Sequence, residues 1–273
     1  MTIHRYLEKF ESFDGSITVT FTLISYEYNS AQSIRVPYKT IGGANYGYPM
    51  RGNQPGLLDV AVETARLVYV DTAATLDTEF DALKKAMYEG ALGWLYTLGS
   101  DGTRRRARAQ ITAMPEYNIS WEGGLSIPST LSWQRFSDWQ DPSLTSWGPI
   151  ALVAASVAFN VVAGGDAPIW DAVFILKGTF TDPQFFSSDN GFTFGSTRDG
   201  SNANHWLRVD AGRNRVEFST DAGVSWIPDF SNYVRLPGQI QLMKLNTGTN
   251  HLHYAQSGAP SATIEGSFYN HWY

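Results

Sequence analysis

The chain contains no cysteine, an absence that removes disulfide scaffolds, thiolate zinc sites, iron–sulfur clusters and cysteine nucleophiles together. Positive charge is also short: 20 Lys and Arg against 26 Asp and Glu give a formal net charge of −6. Gripping phosphate or an anionic membrane takes a dense basic surface, so no specific nucleic acid partner is expected. No hydrophobic run approaches the roughly 20 residues that span a bilayer. The longest, residues 150–162, is interrupted by Ser156 and Asn160. The opening Met1-Thr2-Ile3-His4-Arg5-Tyr6 has no apolar stretch of signal-peptide length, so synthesis and folding in a cytoplasm, without a membrane anchor, are expected. Phosphate-cradling glycine loops and a GxSxG nucleophile elbow are missing too. No catalytic residue, metal ligand set or cofactor is assigned, and the chain is not expected to be an enzyme.

What the chain has in plenty is aromatic area: 9 Trp, 14 Tyr and 15 Phe, within a hydrophobic share of 43% and a charged share of only 17%. This composition is that of an ordered globular protein, and it suits both a β-rich core and a surface that assembles. Residues 16–23 alternate cleanly, with Ile17, Val19, Phe21 and Leu23 on one face and Ser16, Thr18, Thr20 and Thr22 on the other, which predicts a half-buried strand. A Gly/Asn/Tyr/Pro-rich loop follows over residues 41–56, then a strand-prone stretch over 57–70. The spacing of Phe80, Leu83, Met87, Ala91 and Trp94 predicts one amphipathic helix over about 78–96. Asp77 or Thr78 is placed to cap it, and Glu79 and Asp81 to suit its dipole. After the turn at residues 99–102 comes a basic strand, and further strands are predicted over 117–121 and 130–136.

Pro142, Pro149 and the cluster Gly164-Gly165-Asp166-Ala167-Pro168 mark a change of character. Beyond it only strands are predicted, over 170–178, 191–194, 206–210, 215–219, 239–245 and 262–269. The expectation is a mainly β protein of two domains. Residues 1–145 form a β-sandwich-like domain with one helix; residues 146–273 form an all-β sandwich, galectin-like or jelly-roll-like.

Each side-chain grouping with chemical potential also has an ordinary explanation. His251 and His253 share a strand face as zinc ligands sometimes do, yet no third ligand or acidic partner is obvious, and exposed strand histidines are the simpler reading. The carboxylate pairs Asp138 with Asp141 and Glu217 with Asp221 resemble turn caps as much as a glycosidase pair. Arg104, Arg105, Arg106 and Arg108 form the one dense basic patch. On an acidic chain this reads as a subunit interface, or as a charged strand edge that resists mispairing. Residues 219–226 fit S-x-D-x-G-x-x-W, an Asp-box hairpin staple, in a single copy. Trp206 and Trp226 are the candidate sugar-stacking side chains.

The order of elements and several short motifs resemble the distal tail proteins of long-tailed, non-contractile phages. In the first half these are Phe80-Asp81-Ala82-Leu83, Leu131-Ser132-Trp133-Gln134-Arg135-Phe136 and Asp138-Trp139-Gln140-Asp141-Pro142. In the second they are Trp206-Leu207-Arg208-Val209-Asp210, Arg213-Asn214-Arg215-Val216, Arg235-Leu236-Pro237-Gly238 and Ala262-Thr263-Ile264-Glu265-Gly266-Ser267-Phe268. The resemblance covers roughly residues 57–273; the first 56 residues and the density of arginine at 104–108 depart from the pattern. It implies a structural protein of the virion tail tip, forming a homo-oligomeric ring, expected to be a hexamer. The first domain would build the ring. The partners implied are the tail tube protein, the tail hub, and a tail fibre or receptor-binding protein. An alternative is a carbohydrate-binding or adsorption protein that meets host-surface sugar through its second domain; a third reading is a glycoside hydrolase.

Overall fold

The computed structural model describes residues 5–21, 28–29, 38–40, 47–49, 61–69, 73–113, 127–189, 191–213, 215–235, 243–258 and 260–272. The protein is mainly β, with one α-helix among the described residues. It divides into two compact units, Met1–Pro49 with Gly56–Pro142, and Met50–Pro55 with Ser143–Tyr273.

The first unit contains β1 (Arg5–Ser12), β2 (Thr18–Thr20), β3 (Tyr28–Asn29), β4 (Tyr38–Thr40), β5 (Gly47–Pro49) and β6 (Ala61–Tyr69). After these come α1 (Ala73–Tyr88), β7 (Leu92–Gly99), β8 (Arg104–Ala113), β9 (Ile127–Arg135) and β10 (Trp139–Gln140). Its main sheet runs β2-β1-β7-β8-β9-β6-β3, with β10 beside β8, while β4 and β5 pair separately. The helix packs against β8 and β2 and brings Phe80, Leu83 and Ala86 into the core. The sheet supplies Phe10, Leu95, Ala107, Ile111, Leu131 and Trp133 to the buried set.

The helix differs from the sequence expectation at both ends. It starts at Ala73, so Glu79 and Asp81 lie beyond a first turn that holds no acidic residue. It stops at Tyr88 because Gly90 takes a left-handed φ of 62°. The amide of Gly90 donates to Met87 O at 3.1 Å and that of Ala91 to Ala86 O at 2.9 Å, the paired bonds of a glycine C-cap. Ala91 and Trp94 continue the helical spacing only by coincidence. In β7 every second position, Gly93, Leu95, Thr97 and Gly99, is buried, which is strand periodicity. Gly93 is required there: a Cβ would lie 2.3 Å from the Glu11 carbonyl on β1.

The second unit contains β11 (Thr145–Leu152), β12 (Ser156–Ala163), β13 (Val173–Phe180), β14 (Gln184–Ser187), β15 (Thr193–Ser196) and β16 (Gly200–Asp210). They are followed by β17 (Arg215–Ser219), β18 (Ile227–Pro228), β19 (Tyr233–Arg235), β20 (Gly248–Ala255), β21 (Ser261–Phe268) and β22 (His271–Trp272). A six-stranded sheet, β11-β21-β13-β16-β17-β18, faces a five-stranded one, β12-β20-β14-β15-β19. The core between them is aromatic. Trp147 stacks on Phe159 at 5.8 Å, Phe174 meets Phe194 at 6.2 Å, and Phe185 packs on Tyr254 at 5.1 Å.

The apolar run 150–162, for which the sequence predicts no element, is two strands, split at residues 153–155 and belonging to opposite sheets. Of the strand expected over 239–245, only 243–245 are described, and Leu245 makes an isolated bridge with Ile169. The strand expected over 117–121 lies outside the described residues, as do Leu23 and most of the 41–56 loop.

Candidate functional site: an arginine–tryptophan face and an Asp-box hairpin

The arginine cluster does not act as one patch. Strand alternation puts Arg105, opposite buried Thr97, on the face of buried Ala107, and turns Arg104, Arg106 and Arg108 to the other face. There they stand opposite Leu98, Tyr96 and Trp94 of β7. The Arg106 guanidinium lies 4.3 Å from the Trp94 ring centroid and that of Arg108 5.6 Å, so one indole carries two cations. Phe13 packs edge-on against the same indole at 5.4 Å. Beside it Lys9 sits 4.5 Å from the Tyr96 centroid and bonds Glu11 at 2.8 Å, and that carboxylate raises the lysine pKa. Arg104 pairs with Glu8 at 2.6 Å.

The result is a face of alternating aromatic and cationic side chains, with Phe13 and Leu92 about half exposed. Arginine and tryptophan together are the residue types that dominate binding energy at protein interfaces. The arginines are legible in the sequence and their platform is not, because the three- and four-residue spacing predicts Trp94 on a helix. The signal in the sequence is the recurrence of large side chains at every second position, Leu92, Trp94, Tyr96 and Leu98.

In the second unit the Asp box is a closed staple. The Ser219 hydroxyl donates to Asp221 Oδ1 at 2.7 Å, and the Ser225 amide donates to the same oxygen at 2.8 Å. The Gly223 amide donates to Ser219 Oγ at 2.9 Å. Bonding from Ser225 and Ser219 lowers the Asp221 pKa to about 2. Ala222 and Gly223 take φ of 58° and 83° to close the turn.

Trp206 and Trp226 serve this hairpin. Lys177, on the strand to one side, places its ammonium 4.1 Å from the Trp206 centroid. Gly223 presses on the same ring from the hairpin, where a Cβ would come within 2.7 Å. Arg208 lies 4.1 Å from the Trp226 centroid and donates from Nε to Glu217 at 2.8 Å. The two indoles are 6.5 Å apart and tilted by 55°, so they do not share a plane. Trp206 also borders a shallow groove of about 550 Å³ with Val153, Ala203 and Pro260.

The Glu217–Asp221 pair and the strand histidines also have structural partners. Glu217 is buried against Arg208, and Asp221 is held by the turn, so both carboxylates of that pair have structural duties. His251 has an acidic partner that the sequence did not disclose: Asp189 accepts from its amide at 2.5 Å and lies 3.0 Å from its Nδ1. These contacts, the amide bond first, lower the Asp189 pKa. His253 instead lies flat against Phe186, at 4.6 Å and 4°. Among the described residues no three or more His, Asp or Glu are grouped to hold a metal ion. No helix among them is long and apolar enough to cross a membrane.

No family model matches the sequence, and no curated protein does. Solved structures do match. The crystal structure of the Dit protein (gp 19.1) of phage SPP1, described as a paradigm of the hub adsorption apparatus in Gram-positive-infecting phages, aligns over 98% of both chains. The TM-score is 0.55 at 13% identity, so the two chains share a fold through both units. Two structures of the phage p2 baseplate in its activated conformation, with Sr and with Ca, align over 97–98% of this chain and 98% of theirs. Both are at 8% identity, with TM-scores of 0.41 and 0.42.

Proposed function

We propose that this chain is a structural, non-catalytic component of a phage tail tip, a distal tail protein that assembles with copies of itself into a ring. The observation that carries the reading is the fold shared with SPP1 Dit from end to end, through both units and not through one common sandwich alone. The first unit, to about residue 145, builds the ring, and six copies are the expected number. The tail tube, the hub and a fibre or receptor-binding protein are its neighbours in the virion tail. The second unit, residues 146–273, stands free of the ring contacts.

The arginine–tryptophan face supplies the chemistry for self-association. Trp94 offers desolvatable area, and Arg106 and Arg108, already oriented on it, offer bidentate donors to carboxylates of a neighbouring copy. With a net charge of −6, such carboxylates are plentiful on the partner copy. Negative charge over the rest of the ring also keeps a central channel from gripping DNA.

Sedimentation velocity with negative-stain imaging tests the reading. Expected is a closed ring of six copies, which the triple change Trp94→Ala, Arg106→Ala and Arg108→Ala converts to monomer while its circular dichroism stays unchanged. Each interface anchor of this kind is worth about 2 kcal/mol, so association weakens by roughly 30-fold for each anchor removed. A protein that stays monomeric at its highest soluble concentration, or a ring indifferent to the triple change, refutes it.

A further inference from the structure

The five-stranded sheet of the second unit turns one face to the core and leaves the other uncovered by any described element of that unit. Its outer face is set by register. Ala255, Gln184, Gly195 and Val234 form one row across β20, β14, β15 and β19. His253, Phe186 and Thr193 form the next row. Gly195 and Ala255 flank Gln184 with almost no side chain, so the first row is a trough. Its walls are the chain segments holding Asp182, Ser196 with Thr197, and Gln256 with Ser257, and the pocket between them measures about 370 Å³.

The lining selects a chemistry. Amides and hydroxyls predominate (Gln184, Gln256, Ser196, Thr197, Ser257), with one carboxylate, Asp182, and no cation. Among the described residues neither the Gln184 amide nor the Asp182 carboxylate has a hydrogen-bond partner, and both side chains are exposed. Asp182 is held at φ 45°, unusual for a residue other than glycine, while its amide donates to Asp199 at 3.1 Å. The Gln256 carbonyl oxygen is fixed by the Thr181 amide at 3.3 Å and by the Tyr254 hydroxyl. Next to this polar trough, Phe186 gives one ring face to His253 and remains 38% exposed, and Val234 is 51% exposed at the far end of the row.

We propose that this face binds a neutral saccharide. Phe186, backed by His253, packs against sugar C–H bonds; Gln184 and Asp182 take the hydroxyls, and Val234 closes the trough. The pairing of an aromatic face with adjacent unpartnered amide and carboxylate groups is what a polyol with one apolar face requires. The pocket holds one or two sugar rings. Acidic sugars are rejected, because Asp182 faces the ligand with no compensating cation. Trp206 and Trp226 are not the platform, since Lys177, Arg208 and Gly223 already pack on their rings. The site lies wholly within the second unit and does not depend on ring formation.

The test uses the full chain on an array of neutral oligosaccharides built from glucose, galactose, rhamnose and N-acetylglucosamine, with sialylated and uronic-acid oligosaccharides as the counter-panel. Binding to a neutral member is expected, with affinity falling at least roughly tenfold in Phe186→Ala and Gln184→Ala and unchanged in Trp226→Ala. Both altered side chains are on the surface, so thermal midpoints should stay with the parent, and Gln184→Glu serves as a second variant of unchanged size. The proposal is overturned if no neutral glycan binds, if only acidic ones do, or if Phe186→Ala leaves binding intact. It is equally overturned if Phe186→Ala alters the association state and no sugar affinity, because the face is then a contact between copies. Ring formation with no sugar binding refutes this site alone; sugar binding by a monomer refutes the ring alone.

Discussion

Two glycines of the second unit isolate how tightly the Asp-box hairpin is seated on Trp206. Gly223 and Gly248 adopt nearly the same left-handed φ, +83° and +84°. Alanine at either position meets the same backbone penalty, roughly 1–2 kcal/mol. The surroundings differ. Nothing lies within 4 Å of a Cβ at Gly248, whereas one at Gly223 would stand 2.7 Å from two ring carbons of Trp206 and 3.3 Å from Trp226.

The indole cannot yield easily, because Lys177 rests on it and its Nε1 donates to the Ala203 carbonyl at 3.2 Å. Forcing extra volume into such a contact costs about 1–3 kcal/mol beyond the backbone penalty. Gly223→Ala should therefore unfold the second unit roughly 3–10 °C below Gly248→Ala by scanning calorimetry. Amide exchange in the 219–226 hairpin should rise only in Gly223→Ala. Equal midpoints for the two variants would mean that the Trp206 ring has a free face after all, and would return it to contention as a sugar platform.

Three further outcomes follow from the same contacts. The carboxyl of Asp221 should titrate near 2 by NMR; because its folded value lies below the ordinary 3.8, the stability it lends is present above pH 4 and lost as pH falls toward 2, and a midpoint near 3.8 refutes the staple. Asp229 is 2% exposed and holds Arg198 through Nε at 3.1 and 3.2 Å, so Asp229→Ala should cost about 2 kcal/mol by urea unfolding, less than a fully buried pair because Arg198 is 42% exposed. Leu83→Ala removes a fully buried side chain between helix and sheet and should destabilise the first unit by about 2–5 kcal/mol, with the second unit's transition unmoved.

Periodicity disclosed the elements wherever one rule governed a stretch. The strand read over residues 215–219 is β17 to the residue, because Arg215, Glu217 and Ser219 alternate with Val216 and Phe218 between clear turns. The helix failed where two rules overlapped. Steps of three and four from Met87 through Ala91 to Trp94 mimic a helical stripe, and only the left-handed Gly90 separates helix from strand. Residues 150–162 carry no such rule: two apolar strands meet at a short turn at 153–155 with no proline or glycine to mark it. The Asp box was legible in full because its bonds are local, all within residues 219–226.

Faces assembled from distant strands were not legible, and both surfaces proposed above are of that kind. Arg106 and Trp94 are twelve positions apart and meet only through the β7–β8 register. Phe186 and His253, or Gln184 and Val234, are separated by about fifty or more positions and meet only through the order β20-β14-β15-β19. The two surfaces differ in what they ask of a partner. The first presents cations on aromatic rings and suits acidic protein surface, as a second copy of this chain offers. The second presents neutral polar groups beside an aromatic ring and suits a polyol. A single substitution separates the two proposals: Arg106→Glu reverses a charge of the first surface and leaves the residues that line the trough unchanged. A ring abolished by Arg106→Glu with sugar affinity retained would establish that assembly and adsorption are carried by different units of one chain; joint loss of both would show that the trough forms only within the ring.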